Sequence, residues 1–250
     1  MNGEEVKIIS EDPRMDLANL DPEGSQEDGS GRSLPRITAY NPDIDSLDDL
    51  TRVVKDCYQL SKQFFGEDVE GIGVKMLYTR EEMDKALGYK TQSWVVGSAG
   101  RRKTIVIFSP AVFSKVSPHP TSDFEPVLTH EIAHVFTSEL FQFRYPRWLS
   151  EGLSGYVAEQ YKTRPFNPQL IQDFDKIFTN AGWNKTNPYN QAYSFTVYLI
   201  ERFGKENMLV LLQSLSPNDS LQDFTSKFLD AYKCVFDICQ TDWVKNLETK

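Results

Sequence analysis

"LTHEIAHVF", Leu128 to Phe136, decides the reading of this chain. The sequence holds three histidines, His119, His130 and His134, and two of them fall here, four residues apart. Glu131 follows the first. On a helix, residues i and i+4 share a face one turn apart, so His130 and His134 can reach one ion together. Zinc takes imidazole nitrogen at about 2.0–2.1 Å, and a catalytic zinc site uses three protein ligands and keeps one position open. Glu131 lies on the neighbouring arc, where a carboxylate can take a proton from an activated water without being a ligand. Two surface histidines flanking a glutamate remain the alternative on this stretch alone.

The flanks argue for a buried helix. In "TSDFEPVLTHEIAHVFTSELF" (121–141), Val127, Ile132, Ala133, Val135, Phe136 and Leu140 surround the motif with apolar side chains. A helix that is apolar on most sides is buried. Buried imidazoles and a buried carboxylate need partners, and a metal would supply one for all of them. Ser122 with Glu125 predicts a capping box, which places Pro126 in the first turn, where it is tolerated.

The next segment supplies a third ligand. "RYPRWLSEGLSGYVAEQ" spans 144–160. Tyr145-Pro146 predicts the end of the first helix, because the residue before proline avoids the helical region. A second helix starts near Trp148 and carries Glu151 in its first or second turn. Glu151 lies 17 positions after His134, enough for a helix end, a turn and a return to the metal. A His-His-Glu set is a zinc ligand set, whereas a solvated acid favoured by the helix dipole is the alternative for Glu151 alone. Gly152 and Gly155 predict close packing of this helix on a neighbour.

Composition narrows the function. The chain has 250 residues, 40% hydrophobic, with a formal net charge of −9. Nucleic acid is an unsuitable partner, because phosphate binding needs a basic surface. No apolar run reaches the ~20 residues of a membrane span, and the N-terminus lacks a signal pattern. The expectation is a cytoplasmic monomer as written, or a secreted protein if a signal has been trimmed away. Cys57, Cys234 and Cys239 are too few for a disulfide framework, and Cys234 and Cys239, set among apolar residues, read as buried thiols.

Along the chain, residues 1–39 read as a disordered acidic tail, rich in Gly, Ser, Pro, Asp and Glu. Residues 40–141 read as an α/β subdomain ending in the active-site helix, and 142–250 as a helical subdomain. Steps of three and four over Leu47–Phe65, with Gly66 as the stop, predict an amphipathic helix. Ile72–Thr79 reads as a strand, and "REEMDKALG" as a short helix ending at Gly88. Ser93–Ala99 and Thr104–Ser109 are β-rich and predict a hairpin with Gly100 in the turn. A small sheet followed by helices is an α+β class.

"HEIAH" followed at this distance by "WLSEG" resembles the gluzincin clan of zinc metallopeptidases, in particular the peptidase-MA-like domains and minigluzincins. The likeness covers roughly residues 72–247. It implies a zincin-like fold with an edge strand beside the active-site helix, a Zn2+ cofactor held by His130, His134 and Glu151, and Glu131 as general base. It also implies an edge strand that pairs with a peptide substrate, here Trp94, Val95, Val96, Gly97, Ser98 and Ala99. "NPYNQAYSF" resembles the clan's tyrosine segment, which makes Tyr189 the expected oxyanion donor, with Tyr193 in reserve. The Gly-x-Met-x-Asn run of the clan's aminopeptidases is missing, which favours an endopeptidase acting on peptide or protein.

Other readings stay open: a module that keeps fold and metal but cuts nothing, or a protease held latent by its tail through Asp12, Asp21 or Glu23. A structural zinc site fits poorly, since such sites usually have four protein ligands. Arg101, Arg102, Lys103, Arg144 and Arg147 border the motifs and read mainly as solvated charges, with acidic substrates as the other possibility. His119 reads as an exposed loop residue. Asp173, Asp175 and Glu159 are the carboxylates in sequence range to support the imidazoles.

Overall fold

A computed structural model describes residues 34–141, 146–186 and 188–248. Its sheet has four strands, β1 (Arg36–Ala39), β2 (Gly73–Leu77), β3 (Gly97–Ala99) and β4 (Thr104–Phe108), in the order β1-β2-β4-β3. β1, β2 and β4 run parallel, and β3 is antiparallel to β4. The central strands are near-continuous apolar runs, "GVKML" and "TIVIF", as strands covered on both faces require. β3, three residues long, is one of the two edges of the sheet. The sheet starts at Arg36, inside the segment expected to be tail, because "RITA" finds β2 as a partner. Asp12, Asp21 and Glu23 lie outside the described residues.

Helix α1 (Leu47–Phe65) begins at the Ser46 cap and stops at Gly66, whose φ of 79° suits glycine. It packs Tyr58 and Phe65 against Phe136, with ring centroids 5.2 and 5.5 Å apart. Helix α2 (Arg80–Leu87) has a full capping box from Thr79 and Glu82. Its first residue anchors the approach to the edge strand. The Arg80 guanidinium donates to the carbonyls of Ser93 (2.8 Å), Val95 (2.6 Å) and Val116 (2.7 Å). The regular strand is thus shorter than the predicted Ser93–Ala99, since a side chain takes the carbonyls ahead of it. The predicted hairpin forms, with Gly100 N–H donating to Thr104 O at 2.7 Å.

After the short α3 (Phe113–Val116), a 3₁₀ turn at Thr121–Asp123 leads into α4 (Phe124–Phe141), which carries "HEIAH". That turn replaces the expected Ser122–Glu125 capping box, and the Asp123 carboxylate binds His119 instead. Helix α4 is buried on most of its circumference, as its composition predicted.

The rest is helical: α5 (Arg147–Val157), α6 (Phe174–Ile177), α7 (Asn180–Thr186), α8 (Tyr189–Phe203), α9 (Lys205–Ser214), α10 (Leu221–Tyr232) and α11 (Phe236–Glu248). Trp148 of α5 sits in an aromatic core with Phe174 (5.0 Å), Phe195 (5.5 Å) and Phe236 (6.0 Å). A Cβ at Gly152 would collide with Thr196 Oγ1 and the Ala192 carbonyl, and one at Gly155 with the Tyr193 ring. Both glycines thus do what their spacing predicted and press α5 onto α8. Cys234 and Cys239 are joined as a disulfide with Cα atoms 6.5 Å apart, which corrects their reading as thiols. Cys57 is a free, buried thiol. The class is α+β with a small mixed sheet, as predicted. Among the described residues, no helix is long and apolar enough to cross a membrane.

Candidate metal centre

Helices α4 and α5 pack together and bring His130, His134 and Glu151 to one point. His130 and Glu151 are buried, and His134 is half-buried. His130 Nε2 and His134 Nε2 are 3.0 Å apart. Glu151 Oε2 lies 3.1 Å from the first and 3.4 Å from the second. A tetrahedral ion at 2.0–2.1 Å from each ligand atom would hold them about 3.3 Å apart, so this triangle has the size of one face of such a site. The donor chemistry fits as well. Two ring nitrogens and a carboxylate converge, all able to offer lone pairs to one cation.

The remaining atoms of these three candidate ligands are largely occupied. His134 Nδ1 meets Ser150 Oγ at 3.2 Å and Ser154 Oγ at 3.1 Å, two hydroxyls one turn apart on α5. Such outer partners fix ring orientation. Glu151 Oε1 accepts from Arg147 Nε at 3.2 Å. Burial opposes ionisation of Glu151, but the charge of His134 and the hydrogen bonds from both imidazoles outweigh it, and the carboxyl lies well below its usual range. A metal cation would act in the same direction. His130 Nδ1 is buried and has no hydrogen-bond partner among the described residues.

The carboxylates in sequence range do not support the imidazoles. Asp173 is exposed and caps α6, Asp175 is exposed, and Glu159 is exposed and bound to Lys162. The serines were missed, although Ser150 and Ser154 flank Glu151 at helical spacing. That spacing is the signal that could have found them.

Glu131 points to the sheet side. Its Oε2 accepts from the Ala99 N–H at 2.7 Å. A glycine at residue 97 eases this close approach. A Cβ there would lie 3.3 Å from Val127 Cγ1 and 3.4 Å from Glu131 Cγ. Trp94 to Ala99 all line one cleft with the three ligands and Glu131. The cleft measures about 920 Å³. Gly97, Ser98 and Ala99 form the strand itself. The Val96 carbonyl accepts from Phe108 N–H at 3.1 Å, the Val95 carbonyl is held by Arg80, and Trp94 is 42% exposed.

His119 is not the exposed residue expected. It is half-buried, with Nε2 3.1 Å from the Trp94 carbonyl and Nδ1 3.0 Å from Asp123. It thereby ties the loop before the edge strand to the start of α4. The Trp94 carbonyl is twenty-five residues away in sequence, which made this contact invisible to spacing.

The two tyrosines part company. Tyr193 is buried against Gly155, and its hydroxyl donates to Gln160 Oε1 at 2.9 Å. Tyr189, one turn earlier on α8, is half-buried. Its ring meets Trp94 at 6.3 Å, and its oxygen accepts from Arg147 Nη2 at 3.4 Å. Burial, with Glu151 nearby, pushes both phenols above their ordinary range, so both stay protonated.

The basic residues are more engaged than expected. Lys103 pairs with Glu139 at 3.2 Å, and Arg147 binds Glu151. Arg102 is exposed, and Arg144 lies outside the described residues. Neither protein-family models nor curated proteins yield a match to this chain.

Proposed function

We propose that this protein is a zinc-dependent peptidase that cuts within peptide chains. The observation that carries the reading is the His130–His134–Glu151 triangle with the Glu131 carboxylate beside it, set against the β3 edge of the sheet. The gluzincin-like motif pair, "HEIAH" and "WLSEG", supports the same reading, as does a cleft of about 920 Å³ lined by the edge strand and by all four of these residues. A metal held by His130, His134 and Glu151 would polarise a peptide carbonyl and make a nearby water more acidic.

The chain's own groups would do the rest. An extended substrate would add to the edge at Gly97–Ala99, backbone to backbone. Its pairing would compete for the Ala99 N–H, freeing Glu131 Oε2 to take the water's proton. Glu131 would then pass that proton to the leaving amine. Tyr189 would donate its phenolic hydrogen to the oxyanion, a contribution of ~2.7–4 kcal/mol where such donors have been removed. Tyr193 has its hydroxyl engaged by Gln160 and serves the helix packing.

Zinc-loaded protein incubated with a mixed peptide library, read by mass spectrometry, tests this. Internal cuts that disappear in Glu131→Gln are the expected result. Cuts that persist in Glu131→Gln, or no cuts from either protein, would reject the reading.

A further inference from the structure

Arg147 holds three groups at once. Its Nε donates to Glu151 Oε1 at 3.2 Å, its Nη2 to the Tyr189 hydroxyl at 3.4 Å, and its Nη1 to Asn184 Oδ1 at 2.8 Å. The guanidinium also lies over the Trp183 ring, 5.3 Å from its centroid. These contacts come from α5, α7 and α8, so the side chain joins three helices around the cleft.

We infer that Arg147 is a positioning residue that locks the metal-ligand carboxylate and the Tyr189 phenol into one unit; the phenol half of this rests on the peptidase reading. The division of Glu151 is the first support. Arg147 takes Oε1, and Oε2 is left facing His130 and His134 at 3.1 and 3.4 Å. With one oxygen tied, the carboxylate presents a single atom to the ion in a fixed orientation. The phenol is the second support. A hydroxyl that accepts from a guanidinium keeps its own hydrogen for another acceptor. Tyr189 lines the cleft, so that hydrogen is available to a substrate oxygen. The third support is shape. Only a planar fork with several donors can make these contacts together, and Arg147 has the i,i+4 position on α5 that sets it beside Glu151. A lysine carries the charge but not the fork.

The test measures two quantities in parallel. Zinc affinity is read by chelator competition, and kcat and KM by peptide cleavage. The proteins are the full chain, Arg147→Gln, Arg147→Lys, Tyr189→Phe and the Arg147→Gln/Tyr189→Phe double variant, each checked for folding by circular dichroism. If the glutamine variant does not fold, Arg147→Lys carries both readouts. Arg147→Gln is expected to weaken zinc by about 10–100-fold, as loss of an outer partner does. It should also lower kcat with little change in KM. In the Tyr189→Phe background the same substitution should cost much less kcat, because the phenol it serves is gone. Arg147→Lys should not restore that coupling. Unchanged zinc affinity in both Arg147 variants, or independent effects of Arg147 and Tyr189 on kcat, would overturn the inference. The two readings can fail separately. Zinc that weakens on Arg147→Gln in a protein that cuts no peptide rejects the peptidase and keeps the carboxylate lock. Full zinc affinity with cleavage intact in both variants does the reverse.

Discussion

On the helical side of the cleft, side chains hold side chains. His134 is held by Ser150 and Ser154, Glu151 by Arg147, and Arg147 by Asn184 and Tyr189. On the sheet side the contact with the same site is made by backbone: the Ala99 N–H reaches Glu131, and Gly97 contributes only its lack of a side chain. The difference separates two kinds of precision. Side-chain networks fix atoms through residue identity, so single substitutions should break them one function at a time. A backbone edge is fixed by register and clearance, so it should tolerate changes of identity and fail on changes of bulk.

Four experiments probe that contrast. The largest effect is expected from Tyr189→Phe, which should lower kcat about 10²–10³-fold and leave the fold intact. Tyr193→Phe, one turn away, should leave kcat nearly unchanged. It would strand Gln160 and cost about 1–3 kcal/mol in urea unfolding. Equal kcat losses in the two would erase the distinction drawn between them.

Next comes Gly97→Val on the opposite wall. Its bulk would press on Val127 and Glu131 and displace the strand, lowering kcat/KM by about 10–100-fold, as an ångström-scale misplacement does. Zinc affinity should stay at the unmodified value, because the atoms nearest the added side chain belong to Val127, Glu131 and Ile107. Weaker zinc in this variant would show that the walls are coupled.

Gly155→Ala addresses the packing that supports α5. The added methyl would meet the Tyr193 ring, at a cost of about 1–3 kcal/mol. Calorimetry should show Tm lowered by several degrees.

The last effect, confined to alkaline pH, lies behind α4, where Cys57 Sγ donates to the Glu125 carbonyl at 3.6 Å. Burial pushes this thiol from 9.0 up to about 11, with Glu125 and Asp56 adding to the shift. The fold favours the neutral thiol, so its contribution is complete below pH 9 and is lost as the pH rises through 11. The loss is on the order of 2–3 kcal/mol across that window. Urea titrations at pH 8 and 10.5 should show a smaller pH-dependent drop for Cys57→Ala than for the unmodified chain. Identical drops would contradict the assignment.

Much of the helical wall was legible because its ligands obey local periodicity. His130 and His134 need only i,i+4, and Glu151 needs only a helix, a turn and a second helix. Gly152 and Gly155 announced close packing in the same way. Groups whose partners are remote were not legible. His119 finds Trp94 twenty-five residues away, and Arg147 finds Tyr189 forty-two residues away. Arg147 looked like a solvated charge because nothing local shows that α7 and α8 close over it. β1 was read as tail because four residues, "RITA", carry too little pattern without β2 beside them. The disulfide was missed for a related reason: Cys234 and Cys239 look apolar in their sequence context, and only the turn between α10 and α11 brings them together.

The most direct measurement is zinc stoichiometry by native mass spectrometry on the full chain, Glu151→Gln, His134→Ala and Glu131→Gln. One zinc per chain is expected in the unmodified protein and in Glu131→Gln. Glu151→Gln and His134→Ala should lose affinity by more than the 10–100-fold of an outer-partner change. Zinc lost on Glu131→Gln, or retained without Glu151 or His134, would contradict the assignment of three ligands and a separate base.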